Sequence, residues 1–229
     1  MGHTILIVPG FRGSGPTHWQ TWIEAQEPSA RRVAGIDWDA PILATWAGKI
    51  QREIDRESSA VMLVAHSFGC LATVVAAADR AEKVAGAMLV APADPDRISA
   101  LGLQSDEATA TRPRGIGAWL PRGPMAFPSL VVASSNDPWM KLMTAAYWAD
   151  QWGSRFVEMG PVGHINVDSG FGPWPEGLQL LRSMQEASVN FPLGAIGERR
   201  AACRRAGSVL AKLRRGTRWA LAVESASAG

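Results

Sequence analysis

Residues 61–78 read VMLVAHSFGCLATVVAAA, and they contain a strong local signature. An apolar run at 61–65 leads into a serine that has a glycine two positions later, and an alanine-rich run follows. A strand, a sharp turn and a helix in that order are typical of a nucleophile elbow, which lifts a serine hydroxyl above the sheet and tolerates only small neighbours. Gly69 meets that demand, and Ala65 meets it with one extra methyl group. Ser67 is therefore the candidate nucleophile, and capping of the helix is its alternative role.

The same alternation of strands and helices continues through most of the chain. Apolar runs predict parallel strands at 4–8, 61–65, 84–91 and 130–134, and weaker ones at 31–34 and 155–158. Helical spacing of apolar residues predicts helices at 17–26, 42–56, 68–79 and 139–152. This pattern predicts a three-layer fold of the α/β-hydrolase type, in which a mostly parallel central sheet is flanked by helices on both faces. Residues 92–128 break the rhythm and predict a long loop or a small cap.

A serine nucleophile needs a base, and the base needs an acid that orients it. In this fold the order along the chain is serine, acid, histidine. Asp137 follows the predicted strand at 130–134, and its alternative role, compatible with the first, is to cap a helix that begins at Pro138. Of the four histidines, only His164 follows both candidates, and it lies in a glycine-rich loop after the last predicted strand. The sequence thus predicts a triad of Ser67, His164 and Asp137.

A glycine-rich loop, residues 9–15, follows the first predicted strand. Acyl transfer needs N–H groups aimed at the developing oxyanion. The elbow supplies the backbone N–H of Phe68, and this loop should supply the second donor near Gly10 and Phe11. A phosphate-binding loop is the competing interpretation, but the glycines are spaced GxxGxG instead of GxGxxG.

Six short motifs are spread over residues 3–187: VPG at 8–10, SGPTHW at 14–19, HS at 66–67, SNDP at 135–138, GHIN at 163–166 and GFGPWPEG at 170–177. Together they resemble the retinoblastoma-binding-protein-nine-like serine hydrolases, bacterial members included. The resemblance implies a compact α/β hydrolase that acts as an esterase or peptidase without metal or cofactor, and its triad falls on the three residues named above. Ala65 departs from the glycine of many members. An LxCxE motif is missing, so binding to a retinoblastoma-type pocket protein is not expected.

Four aromatic residues in or next to these motifs are candidates for an apolar substrate pocket: His18, Trp19, Trp139 and Trp174. Packing in the core is the alternative role of the tryptophans. We expect hydrolysis of a small carboxylic ester or amide through an acyl-enzyme, with a small-molecule acyl substrate and without metal, cofactor or nucleic acid. The alternative is a non-catalytic binding or scaffold protein on a hydrolase fold.

The distribution of charge divides the chain into two parts, residues 1–190 and residues 191–229. Residues 191–229 hold eight basic and two acidic residues, which leaves 15 basic and 19 acidic residues in 1–190. We expect 1–190 to form the compact hydrolase domain and 191–229 to form a basic C-terminal extension, helical or disordered, with binding to anionic surfaces as the alternative role of the extension. Two cysteines, no apolar run long enough to span a membrane and no visible signal peptide favour a reducing cytoplasm. The oligomeric state stays open.

Overall fold

Eight β-strands lie in the part of the chain that the computed structural model describes, which is residues 3–99, 102–103 and 115–189. They are β1 (Ile5–Val8), β2 (Ala30–Arg32), β3 (Val61–His66), β4 (Val84–Val90), β5 (Ile98–Ser99), β6 (Gly102–Leu103), β7 (Ser129–Ala133) and β8 (Arg155–Glu158). Six of them form one parallel sheet in the order β2-β1-β3-β4-β7-β8. In this sheet the chain adds β2 on one side of β1 and the later four strands on the other. Ligands of such sheets bind beyond the carboxyl ends of the strands next to this reversal.

Helices cover both faces of the sheet. They are α1 (Trp19–Gln26), α2 (Leu43–Arg56), α3 (Phe68–Ala78), α4 (Leu142–Gln151) and α5 (Pro175–Val189). In β1, Ile5 and Ile7 pack with residues of α1 and α5, whereas Leu6 and Val8 pack with residues of α2, α3 and α4. Successive side chains of a strand point to opposite faces, and all four are fully buried because both faces are covered. The predicted three-layer arrangement is confirmed.

Two helices differ from the sequence-based expectation. Helix α4 begins at Leu142 and not at residue 139, so Pro138 does not begin a helix. The Asp137 carboxylate accepts the N–H of Trp139 at 2.8 Å, which stabilises a turn at this point. Asp137 therefore does not cap a helix. Helix α5 is an addition to the predicted elements, and its apolar side chains complete the core on the α1 face.

The segment predicted as a loop or small cap is only partly regular. It contains a 3-10 turn at Pro95–Arg97, a two-residue antiparallel pairing of β5 with β6, and a second 3-10 turn at Ile116–Trp119. Residues 100, 101 and 104–114 lie outside the described residues. The basic extension at 191–229 lies outside them as well, so its separation from the hydrolase domain stays a prediction.

Candidate active site

The turn between β3 and α3 has the backbone of a nucleophile elbow. Ser67 has φ 53° and ψ −125°, a strained conformation of the kind that is stored at functional sites. Its side chain makes no capping hydrogen bond to α3, so the alternative role as a helix cap is not adopted. A Cβ at Gly69 would lie 2.3 Å from the carbonyl oxygen of Pro9, so only glycine fits there. Ala65 is fully buried, and the core accommodates its methyl group.

Hydrogen bonds join Ser67, His164 and Asp137 into one chain. The Nε2 atom of His164 lies 2.9 Å from the Oγ of Ser67, and its Nδ1 lies 2.9 and 2.8 Å from the two carboxylate oxygens of Asp137. Because a carboxylate only accepts hydrogen bonds, Nδ1 carries the proton, and Nε2 of the neutral ring accepts from the serine hydroxyl. Only 2% of the Asp137 side chain is exposed. This arrangement suits the transfer of a proton from the hydroxyl to the imidazole.

Two polar side chains at the end of β7 hold the loop that carries His164. The Oγ of Ser134 accepts the N–H of Val162 at 3.0 Å. The Oδ1 of Asn136 accepts the N–H of Gly163 at 2.7 Å. Both side chains come from the segment that also carries the candidate acid, so the positions of acid and base are linked through the same loop.

Three further hydrogen bonds fix the backbone beside His164. Its N–H donates to the Oγ of Ser169 at 3.0 Å, and its carbonyl oxygen lies 3.0 Å from the Nε2 of His66. The carbonyl oxygen of Ile165 accepts the Nε1–H of Trp19 at 2.9 Å. No local pattern in the sequence predicts the hydrogen bond between His66 and His164, because the two residues are 98 positions apart.

The glycine-rich loop after β1 passes directly beside the candidate nucleophile. A Cβ built on Gly10 would lie 2.8 Å from the Cβ of Ser67. Within the described ranges, the backbone N–H groups of Phe11 and Phe68 have no hydrogen-bond acceptor. One N–H lies in the loop beside the serine, and the other belongs to the residue that follows it. Such unpaired donors are what an oxyanion site requires.

Gln20 holds this loop against the sheet. Its side-chain amide donates to the carbonyl oxygens of Val8 at 3.1 Å and Val64 at 3.2 Å, at the carboxyl ends of β1 and β3. Its Oε1 accepts the hydroxyl of Ser14 at 2.6 Å. Gln20 is fully buried, and its role is visible only once the strands and the loop are brought together.

The three tryptophans proposed for a substrate pocket fall into two groups. Trp19 and Trp174 are 0% and 2% exposed, and their rings meet edge to face with centroids 5.2 Å apart. They have no face toward solvent and pack in the core with Ile165, which is the alternative role given to the tryptophans above. Trp139 is 46% exposed, and its ring centroid lies 6.5 Å from that of His164. Of the three tryptophans, it is the one whose side chain is exposed to solvent beside the site.

His18, the fourth pocket candidate, caps helix α1. Its Nδ1 accepts the N–H of Gln20 at 3.2 Å, which requires an unprotonated nitrogen. Burial, and then the nearby charges of Arg32 and His164, lower the pKa of His18 from 6.5 to about 4. The side chain is buried and lies in ring contact with His66, with centroids 5.1 Å apart.

We expect the free energy of unfolding to fall in mild acid. The unfolded chain protonates His18 below a pH of about 6.5, whereas the folded chain does so only near its pKa of about 4. The contribution to stability is therefore complete above pH 6.5 and is lost as the pH falls toward 4. A shift of this size corresponds to about 3 kcal/mol. His18→Asn keeps a capping acceptor but cannot titrate, so it should reduce the pH dependence of urea unfolding; an unchanged dependence would assign it to other groups.

Other kinds of site are not found within residues 3–99, 102–103 and 115–189. No group of three or more His, Cys, Asp or Glu side chains there is arranged to hold a metal ion. Cys70 is a buried free cysteine, and burial raises the pKa of its thiol, which makes it a poor nucleophile. No helix in these residues has both the length and the apolar character that crossing a bilayer requires.

The fold and the site together define an α/β hydrolase, because a parallel sheet, an elbow serine and the order serine, acid, histidine occur in one chain. The model of the family described as serine hydrolase matches residues 5–183, and the chain belongs to this family. The match confirms the resemblance inferred from the motifs. Among solved structures, a YdeN-like hydrolase from Pectobacterium atrosepticum is 37% identical, with a TM-score of 0.71 over 82% of this chain and 92% of that one.

More distant structures share the fold. The ydeN gene product of B. subtilis is 20% identical, with a TM-score of 0.60 over 80% of this chain and 98% of that one. Est1E from Butyrivibrio proteoclasticus, with ferulic acid bound, is 13% identical, with a TM-score of 0.56 over 81% of this chain and 88% of that one. No curated protein matches the chain.

Proposed function

We propose that this hydrolase cleaves a small carboxylic ester or amide through an acyl-enzyme, with Ser67 as nucleophile, His164 as general base and Asp137 as the acid that orients the base. Membership of the serine hydrolase family supports hydrolysis in general. The observation that carries the finer proposal is the chain of hydrogen bonds from the hydroxyl to the buried carboxylate, with 2.9 Å between the Oγ of Ser67 and the Nε2 of His164.

The reaction proceeds in two halves. The Oγ of Ser67 attacks the carbonyl carbon of the substrate while its proton moves to the Nε2 of His164. The backbone N–H groups of Phe11 and Phe68 receive the oxyanion that forms on the carbonyl oxygen. The imidazolium then gives its proton to the leaving alcohol or amine, and the acyl group stays on the serine. In the second half, His164 takes a proton from the water that attacks the acyl-enzyme. The bond between the acyl carbon and the Oγ of Ser67 then breaks, and the imidazolium returns the proton to Oγ as the acid leaves.

The substrate's apolar part is proposed to lie against Trp139. This ring is exposed beside His164, and the guanidinium of Arg97 lies over it, with its carbon 4.7 Å from the ring centroid. A stacked cation restricts the ring and leaves an aromatic surface near the reacting atoms. We therefore propose esters with a short or medium acyl chain as the first substrates to test.

The experiment that tests this function compares 4-nitrophenyl esters of increasing acyl length with the corresponding anilides. We expect saturable hydrolysis of at least one ester, with an initial burst of up to one equivalent of 4-nitrophenol when deacylation is slow. A fluorophosphonate probe should abolish the activity. Absence of both ester hydrolysis and probe labelling would contradict the proposal and favour the non-catalytic binding protein.

Two serines at opposite ends of β7 provide a matched test of how the loop that carries His164 is held in place. Ser134 holds the loop of His164, whereas Ser129, at the opposite edge of the sheet, pairs with the Oγ of Ser154 at 2.7 Å. Both serines are buried, and each replacement should cost about 1 kcal/mol of unfolding free energy. Ser134→Ala should also lower kcat/KM by about tenfold, because small displacements of a catalytic group are costly. Equal kcat/KM values for Ser134→Ala and Ser129→Ala would contradict this role.

A further inference from the structure

A second histidine, His66, lies beneath the proposed site. It ends β3 immediately before Ser67, and it is 5% exposed. Its Nε2 lies 3.0 Å from the backbone carbonyl oxygen of His164. Because a carbonyl oxygen only accepts hydrogen bonds, this nitrogen carries the proton and donates it to the bond. The imidazole of His66, the residue before Ser67, is thus hydrogen-bonded to the backbone of His164, the proposed base.

The ring of His66 is enclosed by three other rings. Its centroid lies 5.1 Å from that of His18, 6.0 Å from that of Trp19 and 4.9 Å from that of His164. The titratable groups that face it are the two imidazoles. The pKa of His66 is well below 6.5. Burial is the main cause, and the nearness of His164 and His18 lowers the pKa further. The ring therefore remains a neutral donor when His164 takes up the serine proton.

His66 also borders the loop that carries the proposed oxyanion donor. A Cβ built on Gly10 would lie 3.4 Å from the Nδ1 of His66 and 3.2 Å from its carbonyl oxygen. The His66 side chain thus bonds to the loop of the base on one side and borders the glycine-rich loop on the other. The glycine-rich loop follows β1 and the loop of His164 follows β8, so the two are far apart in sequence. The elbow lies between them.

We propose that His66 is a positioning residue for the reaction, which holds the Nε2 of His164 in line with Ser67 by donating a hydrogen bond to the carbonyl oxygen of His164. It acts through His164 and does not contact the reacting atoms. The inference rests on the proposed function. A single peptide unit separates the donor residue from the nucleophile. Loss of the bond therefore removes the link between the backbone of His164 and the elbow and leaves the side-chain bond of His164 to Ser67 to hold the alignment.

Two substitutions separate positioning from a purely structural role. His66→Gln places an amide N–H where the imidazole Nε2–H lies, whereas His66→Leu fills similar volume without a donor. His66→Leu should lower kcat by about 50-fold with KM changed by less than about twofold, because the base is displaced and the substrate surface is not. His66→Gln should restore kcat to within about fivefold of the parent. Ser129→Ala serves as a control for lost stability.

A spectroscopic measurement that needs no substrate completes the test. The proton on Nδ1 of His164, bonded to Asp137, should give a far-downfield proton NMR signal in the parent and in His66→Gln. In His66→Leu this signal should shift or broaden. If His66→Leu does not fold, His66→Asn replaces it, because its shorter amide cannot reach the carbonyl oxygen.

Parental kcat and an unchanged Nδ1–H signal in His66→Leu, or in His66→Asn, would overturn the inference. Equal impairment of the glutamine and leucine variants would overturn it too, since the donor would then not matter. If the parent hydrolyses no ester and takes up no probe, the proposed function fails, and the NMR comparison still decides whether His66 positions His164.

Discussion

Ser67→Ala should lower kcat/KM for 4-nitrophenyl esters by about 10⁴-fold or more. The change removes only the Oγ, which is the atom that would attack the substrate. This atom makes no capping hydrogen bond to α3. The strained backbone and the core around it remain, so we expect unfolding in urea to change little. Steady-state hydrolysis and stoichiometric labelling by a fluorophosphonate probe measure the effect.

The control for this variant is Ser183→Ala. Ser183 lies on the exposed side of α5, and its hydroxyl donates to the carbonyl oxygen of Gln179 at 2.9 Å, away from the elbow. This variant should label and turn over like the parent. Activity of Ser67→Ala within about tenfold of the parent would show that another group is the nucleophile.

Asp137→Asn should lower kcat by about 10⁴-fold with little change in KM. The carboxylate holds the proton of His164 on Nδ1, which leaves the lone pair of Nε2 facing the serine. An amide can donate to Nδ1, and the proton then moves to Nε2, where it blocks removal of the serine proton. Substrate binding is spared because the side chain is 2% exposed and does not face solvent. The measurement is kcat and KM for the best ester, with near-UV circular dichroism to verify the fold.

Asp168→Asn is the matched control. Asp168 is an exposed carboxylate in the same loop as His164, so its replacement removes one local charge without touching the hydrogen-bonded chain. We expect parental kcat. If Asp168→Asn impaired turnover as strongly as Asp137→Asn, general electrostatics of the loop, and not the orientation of His164, would account for the loss.

The parts of the fold that follow from local sequence were predictable. The apolar runs of β3 and β4 lie on central strands with both faces covered, so every residue of these strands except Ala85 is buried. The elbow is local as well, since its strand, serine and glycine lie within nine residues. The order of Ser67, Asp137 and His164 then followed from the chain direction of this fold.

The supporting contacts could not be predicted in the same way, because they join distant positions. Trp19 reaches the carbonyl oxygen of Ile165 across 146 positions, and His66 reaches that of His164 across 98. A tryptophan within a motif gives no sign of which face it presents, so the sequence leaves both a pocket and a core position open for Trp174, which is buried. A turn in which the Asp137 carboxylate accepts the N–H of Trp139 precedes α4, and helical spacing does not reveal such a turn.

The most direct measurement is peptide mapping by mass spectrometry after inactivation with a fluorophosphonate. If Ser67 is activated by His164, one adduct per chain should form, and it should lie on the peptide that contains Ser67. An adduct on a different residue, or continued ester hydrolysis by a protein whose Ser67 is fully modified, would contradict the proposed mechanism.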